Sequence, residues 1–437
     1  MKSPALALAL LAAAPAAAQA PAAASAPSAP RILSLDEALQ IGLSRQPQLR
    51  QAQASTEASR ARVDQALAPL LPQVSGTASW QRSTSEERAS LAGIGVGSSS
   101  GSRDLYSVGA TGKLLVWDFG QTSGRWRAAQ ALAAGQSQSE RATRAGVALG
   151  IRTTYFDAVA AKALAAVARD TLDNTQRHLE QVRAFVEVGT RPPVDLAQER
   201  TNVANARVRL IQAENTYATA RVQVEQAIGA SDLGPWEIAD ESLPPVPGEE
   251  AAPEPLLAEA LAARPELAAL SEQLRGQELT VRALQGGYGP SVGVSAGPTW
   301  AGDAPSDLSY GWNTAVTLTW PLFQGGATRA QVREARANAT AIDAQVEQLR
   351  QSVRLELEQA RLGVRAAQAT LGAAQEAAQA AGERLTLAEG RYQTGVGSLL
   401  ELADAQLALT TALGQRVQSE FQLATARSQL LKALGRE

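Results

Sequence analysis

The stretch SYGWNTAVTLTW, residues 309–320, decides how this chain is read. Tyr310, Trp312, Thr314, Val316, Leu318 and Trp320 alternate with Ser309, Gly311, Asn313, Ala315, Thr317 and Thr319. A period of two puts the bulky set on one face of a strand and the small, mostly polar set on the other. Three more stretches share the pattern. Val74, Gly76, Ala78 and Trp80 alternate with Gln73, Ser75, Thr77, Ser79 and Gln81; Tyr106, Val108, Ala110, Gly112, Leu114 and Val116 with Ser107, Gly109, Thr111 and Lys113; Val292, Val294 and Ala296 with Ser291, Gly293, Ser295 and Gly297. Each is about ten residues, the length of a tilted strand that crosses a bilayer. Trp80, Trp117, Trp300, Trp312 and Trp320 fall near the ends of these stretches, where interfacial aromatic belts belong. A soluble sandwich with one wet face is the other reading of the same alternation.

Outward from these strands, the chain repeats itself. A shift of 218 residues lays Gln46-Pro47-Gln48-Leu49 on Arg264-Pro265-Glu266-Leu267, and Leu71-Pro72-Gln73-Val74 on Gly289-Pro290-Ser291-Val292. Past the strands the shift falls to 206, so the first copy holds 12 extra residues. Asp118-Phe119-Gly120 then meets Gln324-Gly325-Gly326, and Ala218-Thr219-Ala220-Arg221 recurs unchanged as Ala424-Thr425-Ala426-Arg427. The copies span 34–230 and 254–437, joined by a Pro/Gly-rich linker at 231–253 in which Trp236-Glu237-Ile238 is a candidate strand. Each copy reads as helices, a β-hairpin (72–117 and 290–322), a very long helix (120–187 and 326–393), a short turn and a helix (192–229 and 398–435). Ser34 with Glu37 is a capping-box start, and Pro47 and Pro265 restart helices.

The long helices carry small residues in a heptad seam: Ala360, Val364, Ala367, Leu371, Ala374, Ala378, Ala381 and Leu385. Gly363, Gly372 and Gly382 are expected to permit close approach. Such a helix is about 100 Å long, far beyond a globular one. Composition agrees: 45% hydrophobic but only 4% aromatic, with roughly one residue in five alanine. Net charge is −3, which gives no basic field for nucleic acid. With no Cys and a single His, His178, thiol chemistry, disulfides, Cys/His zinc sites and His-based triads are excluded. No metal ligand set and no cofactor motif stands out.

Residues 1–20 read as a secretory signal: Lys2, an Ala/Leu run from Ala5 to Ala18, and small residues offering cleavage after Ala18 or Ala20. A Pro/Ala-rich segment, 21–33, follows. Without a Cys no lipid anchor is expected. No 18-residue apolar run follows the signal, so a membrane would be crossed by strands. Four strands cannot close a barrel, and an open edge in lipid leaves backbone groups without partners. Two copies would give eight strands with a filled interior; three would give twelve and a lumen.

The whole plan resembles the outer-membrane efflux protein family, the TolC-like channels. The resemblance rests on Leu35-Asp36-Glu37-Ala38-Leu39, on Trp320-Pro321-Leu322-Phe323-Gln324-Gly325-Gly326 with its partner Val116-Trp117-Asp118-Phe119-Gly120, and on Arg391-Tyr392-Gln393-Thr394-Gly395-Val396-Gly397-Ser398 followed by Leu402 and Ala405-Gln406. It covers 32–437. It implies a mainly α chain with membrane β: a homotrimer whose twelve-stranded outer-membrane barrel, four strands per subunit, continues into a long α-helical periplasmic barrel. It also implies a periplasmic adaptor (membrane fusion) protein and an inner-membrane transporter as partners, with outer-membrane lipid around the barrel.

By the same resemblance, Val188-Gly189-Thr190 and Thr394-Gly395-Val396-Gly397 are the periplasmic tips that contact the adaptor. Glu401 and Asp404 occupy acidic positions lining a pore constriction, and Asp195 with Tyr392 occupy gate-tethering positions. The residues alone also allow ordinary helical turns and a solvated helix N-terminus. The family's gating Arg is replaced here by Gly397, with Arg191 in the other turn as an alternative cation.

Other matches fail on context. Gly97-Ser98-Ser99-Ser100-Gly101 fits a nucleophile elbow but lacks the following helix; it reads as a flexible extracellular loop holding the extra residues of copy one. Asn338-Ala339-Thr340 is a sequon inside a helix. His178 reads as a surface or packing residue. The expected function is a passive export duct for small molecules, without catalysis. A type I protein-secretion channel and a soluble periplasmic coiled-coil scaffold are the alternatives.

Overall fold

The computed structural model describes residues 31–91, 94–230 and 232–436, without side chains at 85–91 and 94–101. The expected signal, 1–20, lies outside them. The described chain starts with strand β1 (Arg31–Leu33), which pairs in parallel with β4 (Trp236–Ile238). The end of the Pro/Ala-rich segment is therefore structured, because Leu33 finds a buried partner row in the linker. Helices α1 (Leu35–Arg45) and α2 (Pro47–Leu67) follow. Ser34 accepts the Glu37 N–H at 3.3 Å, and Pro47 occupies the first turn of α2, where its missing N–H costs nothing.

Strands β2 (Gln73–Leu91), β3 (Ile94–Trp117), β5 (Ser291–Gly302) and β6 (Ser309–Thr319) form one antiparallel sheet in the order β2-β3-β5-β6. Register aligns the bulky faces. Ala78 pairs with Val108, Val108 with Trp300, and Trp300 with Tyr310. Lower down, Leu114 pairs with Val294 and Val294 with Val316. One apolar face thus crosses all four strands, and its large residues stand exposed: Val74, Trp80, Trp312, Val316 and Leu318 among them. The other face carries small polar pairs such as Ser79 and Ser107, whose hydroxyls lie 2.8 Å apart. Among the described residues, nothing pairs with the outer edges of β2 and β6.

Aromatic residues form two belts. Trp80 packs on Tyr106 and Trp300 on Tyr310, at 6.5 and 5.5 Å between centroids, while Trp117 and Trp320 mark the other end. From Tyr310 to Trp320 is about 33 Å along a strand, shorter along the normal once tilted, matching the apolar band of an outer-membrane barrel. Trp80, however, is not near a strand end. The residues expected as a flexible loop, 97–101, belong to β3 and pair with 85–88 and beyond. The excess of the first copy lengthens the hairpin beyond the aromatic belt instead of looping out, since Ser and Gly leave backbone hydrogen bonds as the cheapest way to order it.

Helices α3 (Gln121–Glu187) and α7 (Ala327–Gln393) are 67 residues each, about 100 Å. α4 (Pro193–Ile228) and α8 (Leu399–Ala433) fold back along their lower halves; α6 (Pro265–Gly286) and α2 line the upper halves, and α5 (Pro253–Ala263) sits beside α7. The lateral order is α4-α3-α8-α7 below and α2-α3-α6-α7 above. Among the described residues no helix is long and apolar enough to cross a membrane. The seam residues of α7 are buried, with Leu371 and Ala381 half-buried. Gly363, Gly372 and Gly382, expected at close approaches, have open space around a would-be Cβ. Tight approach occurs instead where α3 meets α6: a Cβ on Gly124 would lie 2.8 Å from that of Ala283, and one on Gly135 3.0 Å from the Ala269 carbonyl.

Mid-length, each copy builds a core at equivalent positions. Val147, Ile151, Val224 and Ile228 are buried in one; Val353, Leu357, Leu430 and Leu434 in the other. The duplicated Arg of Ala-Thr-Ala-Arg holds the linker both times. Arg221 stacks on Trp236 at 4.9 Å, and Arg427 donates to both Glu249 carboxylate oxygens and to the Leu243 carbonyl.

Candidate functional site at the helix tip

The helical end farthest from the sheet is made by two turns. Both reverse the chain through a left-handed glycine, Gly189 at φ 76° and Gly395 at φ 83°, a conformation that costs other residues a Cβ clash. Thr190 N–H bonds the Phe185 carbonyl, while Val396 and Gly397 N–H share that of Arg391. Val188 and Val396 point outward, 72% and 75% exposed; Thr394 caps its own helix through the Gly390 carbonyl.

Tyr392 is the anchor between the turns. It is buried, packs edge-on against Phe185 at 6.1 Å, and carries the Arg191 guanidinium 4.4 Å above its ring. Arg191 also donates to the Tyr392 and Gly397 carbonyls, both at 3.1 Å. Arg191 thus places a cation from the first turn beside Gly397 of the second. A Cβ at Gly397 would sit 3.0 Å from the Arg391 backbone carbon, so the glycine lets the second turn close. Burial pushes the Tyr392 hydroxyl up, Arg191 pulls it down, and the charges of Asp195 and Glu199 push it up. Asp195, in the first turn of α4, belongs to this group by its field on Tyr392.

The two acids of α8 face different neighbours. Glu401 receives its helix cap from Ser398, whose hydroxyl accepts the Glu401 N–H at 3.1 Å, and its carboxylate lies 3.3 Å from Arg391 Nε. Both partners are substantially exposed, so the pair contributes at most about 1 kcal/mol. Asp404, one turn on and exposed, borders a polar groove of about 190 Å³ between α3, α4 and α8, with Asn202, Arg209 and Thr175.

Sequence reasoning missed a cluster beside the tip. His178 is a buried packing residue, but its neighbours are carboxylates: Glu389 of α7 at 3.3 Å and, within its field, Glu199 of α4. The signal was present. Glu199 falls in register with Val203 and Ala206, the buried stripe of α4, and a carboxylate on an apolar stripe marks a buried acid.

With the sheet, helices and tip in place, comparison with known proteins is direct. A family model described as outer membrane efflux protein matches residues 38–230 and 256–436. The chain is 25% identical over 414 residues to "Probable efflux pump outer membrane protein TtgC" of Pseudomonas putida, covering 92% of this chain and 83% of that protein. It is 25% identical over 410 residues to "Pyoverdine export outer membrane protein OpmQ" of Pseudomonas aeruginosa, covering 92% and 85%. The solved Campylobacter jejuni CmeC outer membrane channel superposes with a TM-score of 0.79 at 18% identity, covering 92% of this chain and 85% of that one. The family match falls on both copies and breaks at the linker, and this chain belongs to the outer membrane efflux protein family.

Proposed function

We propose that the protein is the outer-membrane channel of a tripartite efflux system, passing small molecules from a periplasmic adaptor and inner-membrane pump to the exterior. The observation that carries this reading is the sheet: one continuous apolar face, two aromatic belts and two unpaired edges, set on helices about 100 Å long. Three copies joined β6 to β2 leave no open edge in lipid and enclose a lumen. The N-terminal 20 residues act as the signal that exports the chain. The duct is passive; the pump supplies the energy. Val188, Gly189, Thr190, Thr394, Gly395, Val396 and Gly397 form the face offered to the adaptor. Glu401 and Asp404 ring the narrow end with acid, favouring cations, while Tyr392, Asp195 and Arg191 tether the tip. The names of relatives that mention pyoverdine export or an efflux pump favour small cargo over protein.

Reconstitution of the full chain in planar bilayers tests the reading. It gives trimer-sized particles and cation-selective conductance, and Glu401→Ala with Asp404→Ala lowers that selectivity. A freely soluble monomer without conductance overturns the channel; unchanged selectivity in the double variant overturns the acid ring.

A further inference from the structure

The chain's sole histidine is buried beside a carboxylate of another helix. His178 Nε2 lies 3.3 Å from a Glu389 carboxylate oxygen, and Nδ1 lies 3.3 Å from the Gln181 side-chain amide. As the imidazolium, His178 forms an ion pair with Glu389; the neutral ring offers that carboxylate one uncharged hydrogen bond at most. Glu199, within the field of His178, is 1% exposed. One of its oxygens accepts the Asn202 amide at 2.9 Å; the other is buried without a hydrogen-bond partner. Burial pushes the Glu199 carboxyl up, while Asn202 and the His178 charge pull it down.

Every helix at this level contributes. α3 supplies His178 and Gln181, α4 supplies Glu199 and Asn202, and α7 supplies Glu389 and Tyr392. α8 adds Leu402 and Ala405 to the apolar cluster around Tyr392, and its Asp404 and Gln406 border the groove that Asn202, Thr175 and Arg209 also line. Tyr392 has a buried hydroxyl without a partner and lies in the fields of Glu199, Asp195 and Arg191. Arg191 in turn holds the Gly397 carbonyl. A connected set therefore runs from His178 to the second turn, and it joins the α3–α4 hairpin to α7.

We propose that His178, as its imidazolium, is a pH-operated latch tying the α3–α4 hairpin to α7 just above the tip, and that loss of its proton loosens the tip. Both titrations act in one direction. A cationic His178 paired with Glu389 and in the field of Glu199 stabilises the closed packing at low pH and stops doing so once neutral. Glu199, with its carboxyl pushed up by burial, likewise favours the packed state when protonated, and that contribution is lost as pH rises. At high pH the site holds a neutral ring beside a buried anion, the costliest combination. The latch rests on the reading of the protein as a gated channel.

The test uses the full-length protein at about pH 5.5 and about pH 8, bracketing histidine's charge change. Two readouts run side by side: bilayer conductance, and spin-label distances between Val188→Cys tips of neighbouring subunits, clean because the chain has no cysteine. The wild-type conductance rises several-fold at the higher pH and the tip distances lengthen. His178→Gln shows the high-pH values throughout; His178→Lys, a fixed cation, shows the low-pH values throughout; Glu199→Gln, which takes an anion from the field of His178, shifts the transition downward. A pH response that survives in His178→Gln, or distances that stay constant with pH in the wild type, overturns the latch. Conductance without pH dependence sinks the latch alone. Absent conductance with pH-dependent distances sinks the channel reading and leaves the latch standing.

Discussion

At the corner where a strand hands over to a long helix, the first copy places Phe119 at φ 58° and the second places Gly325 at φ 60°. The next residue is a left-handed glycine in both, Gly120 at 82° and Gly326 at 83°. The backbone route is the same; the side-chain solution is not. Left-handed backbone costs a residue with a Cβ about 1–2 kcal/mol. Phe119 offsets this by stacking on Trp117 at 4.8 Å and lying over Gly289, where a Cβ would come within 2.2 Å of the ring. Asp118 adds a cap, accepting the Thr122 N–H at 2.7 Å. In the second copy Gln324 meets Thr328 instead, and Leu322 and Phe323 stand 82% and 89% exposed. Topology explains the contrast. β3 is central in the sheet, so Phe119 finds partners within the chain; β6 is an edge, where Trp320 reaches the Tyr288 carbonyl but Leu322 and Phe323 stay exposed. The apolar residues of the second corner are left for a neighbouring subunit or lipid.

Three substitutions sharpen that contrast. The largest effect is expected for Gly289→Val, which drives a side chain into the Phe119 ring. Thermal unfolding of the purified protein should report a loss of about 1–3 kcal/mol; an unchanged midpoint would mean the ring is not seated there. Next comes Gly325→Phe, which gives the second corner the first one's residue without its glycine seat. It should cost about 1–2 kcal/mol in the same assay. If it is neutral, the left-handed strain is not what separates the corners. The smallest is Phe119→Gly, where relief of strain and loss of the ring contact nearly cancel, within about 1 kcal/mol. A large loss there would show that the Phe119 ring contributes far more than its backbone costs.

Local signals were legible wherever a residue's role depends on its near neighbours in the chain. Ser34 caps through Glu37, Pro47 and Pro265 open helices, and the alternation from Tyr310 to Trp320 lies in a strand. The long hairpin was not legible. Its outer part holds Ser, Gly and charged residues, and where exposure is described, Gln81 to Thr84 are open to solvent. Without bulky apolar residues at every second position there is no alternation to read. At the tip, Tyr392 and Asp195 share one field, but the partner of Tyr392 proved to be Arg191, from the opposite turn 201 residues away. Nothing in local spacing couples those two turns. The cluster at His178 escaped for the same reason, since its members come from three helices.

The sequence by itself determined the duplication, the strand faces, the two turns and the length of the helices, because periodicity, glycine and proline act over a few residues. Only the tertiary structure decided that the hairpins join through β3 and β5, which glycines mark close approach, which cation anchors Tyr392, and that His178 of α3 pairs with Glu389 of α7. Those outcomes depend on which helices lie side by side. That order is set by the packing of whole faces, which no short stretch of the chain contains.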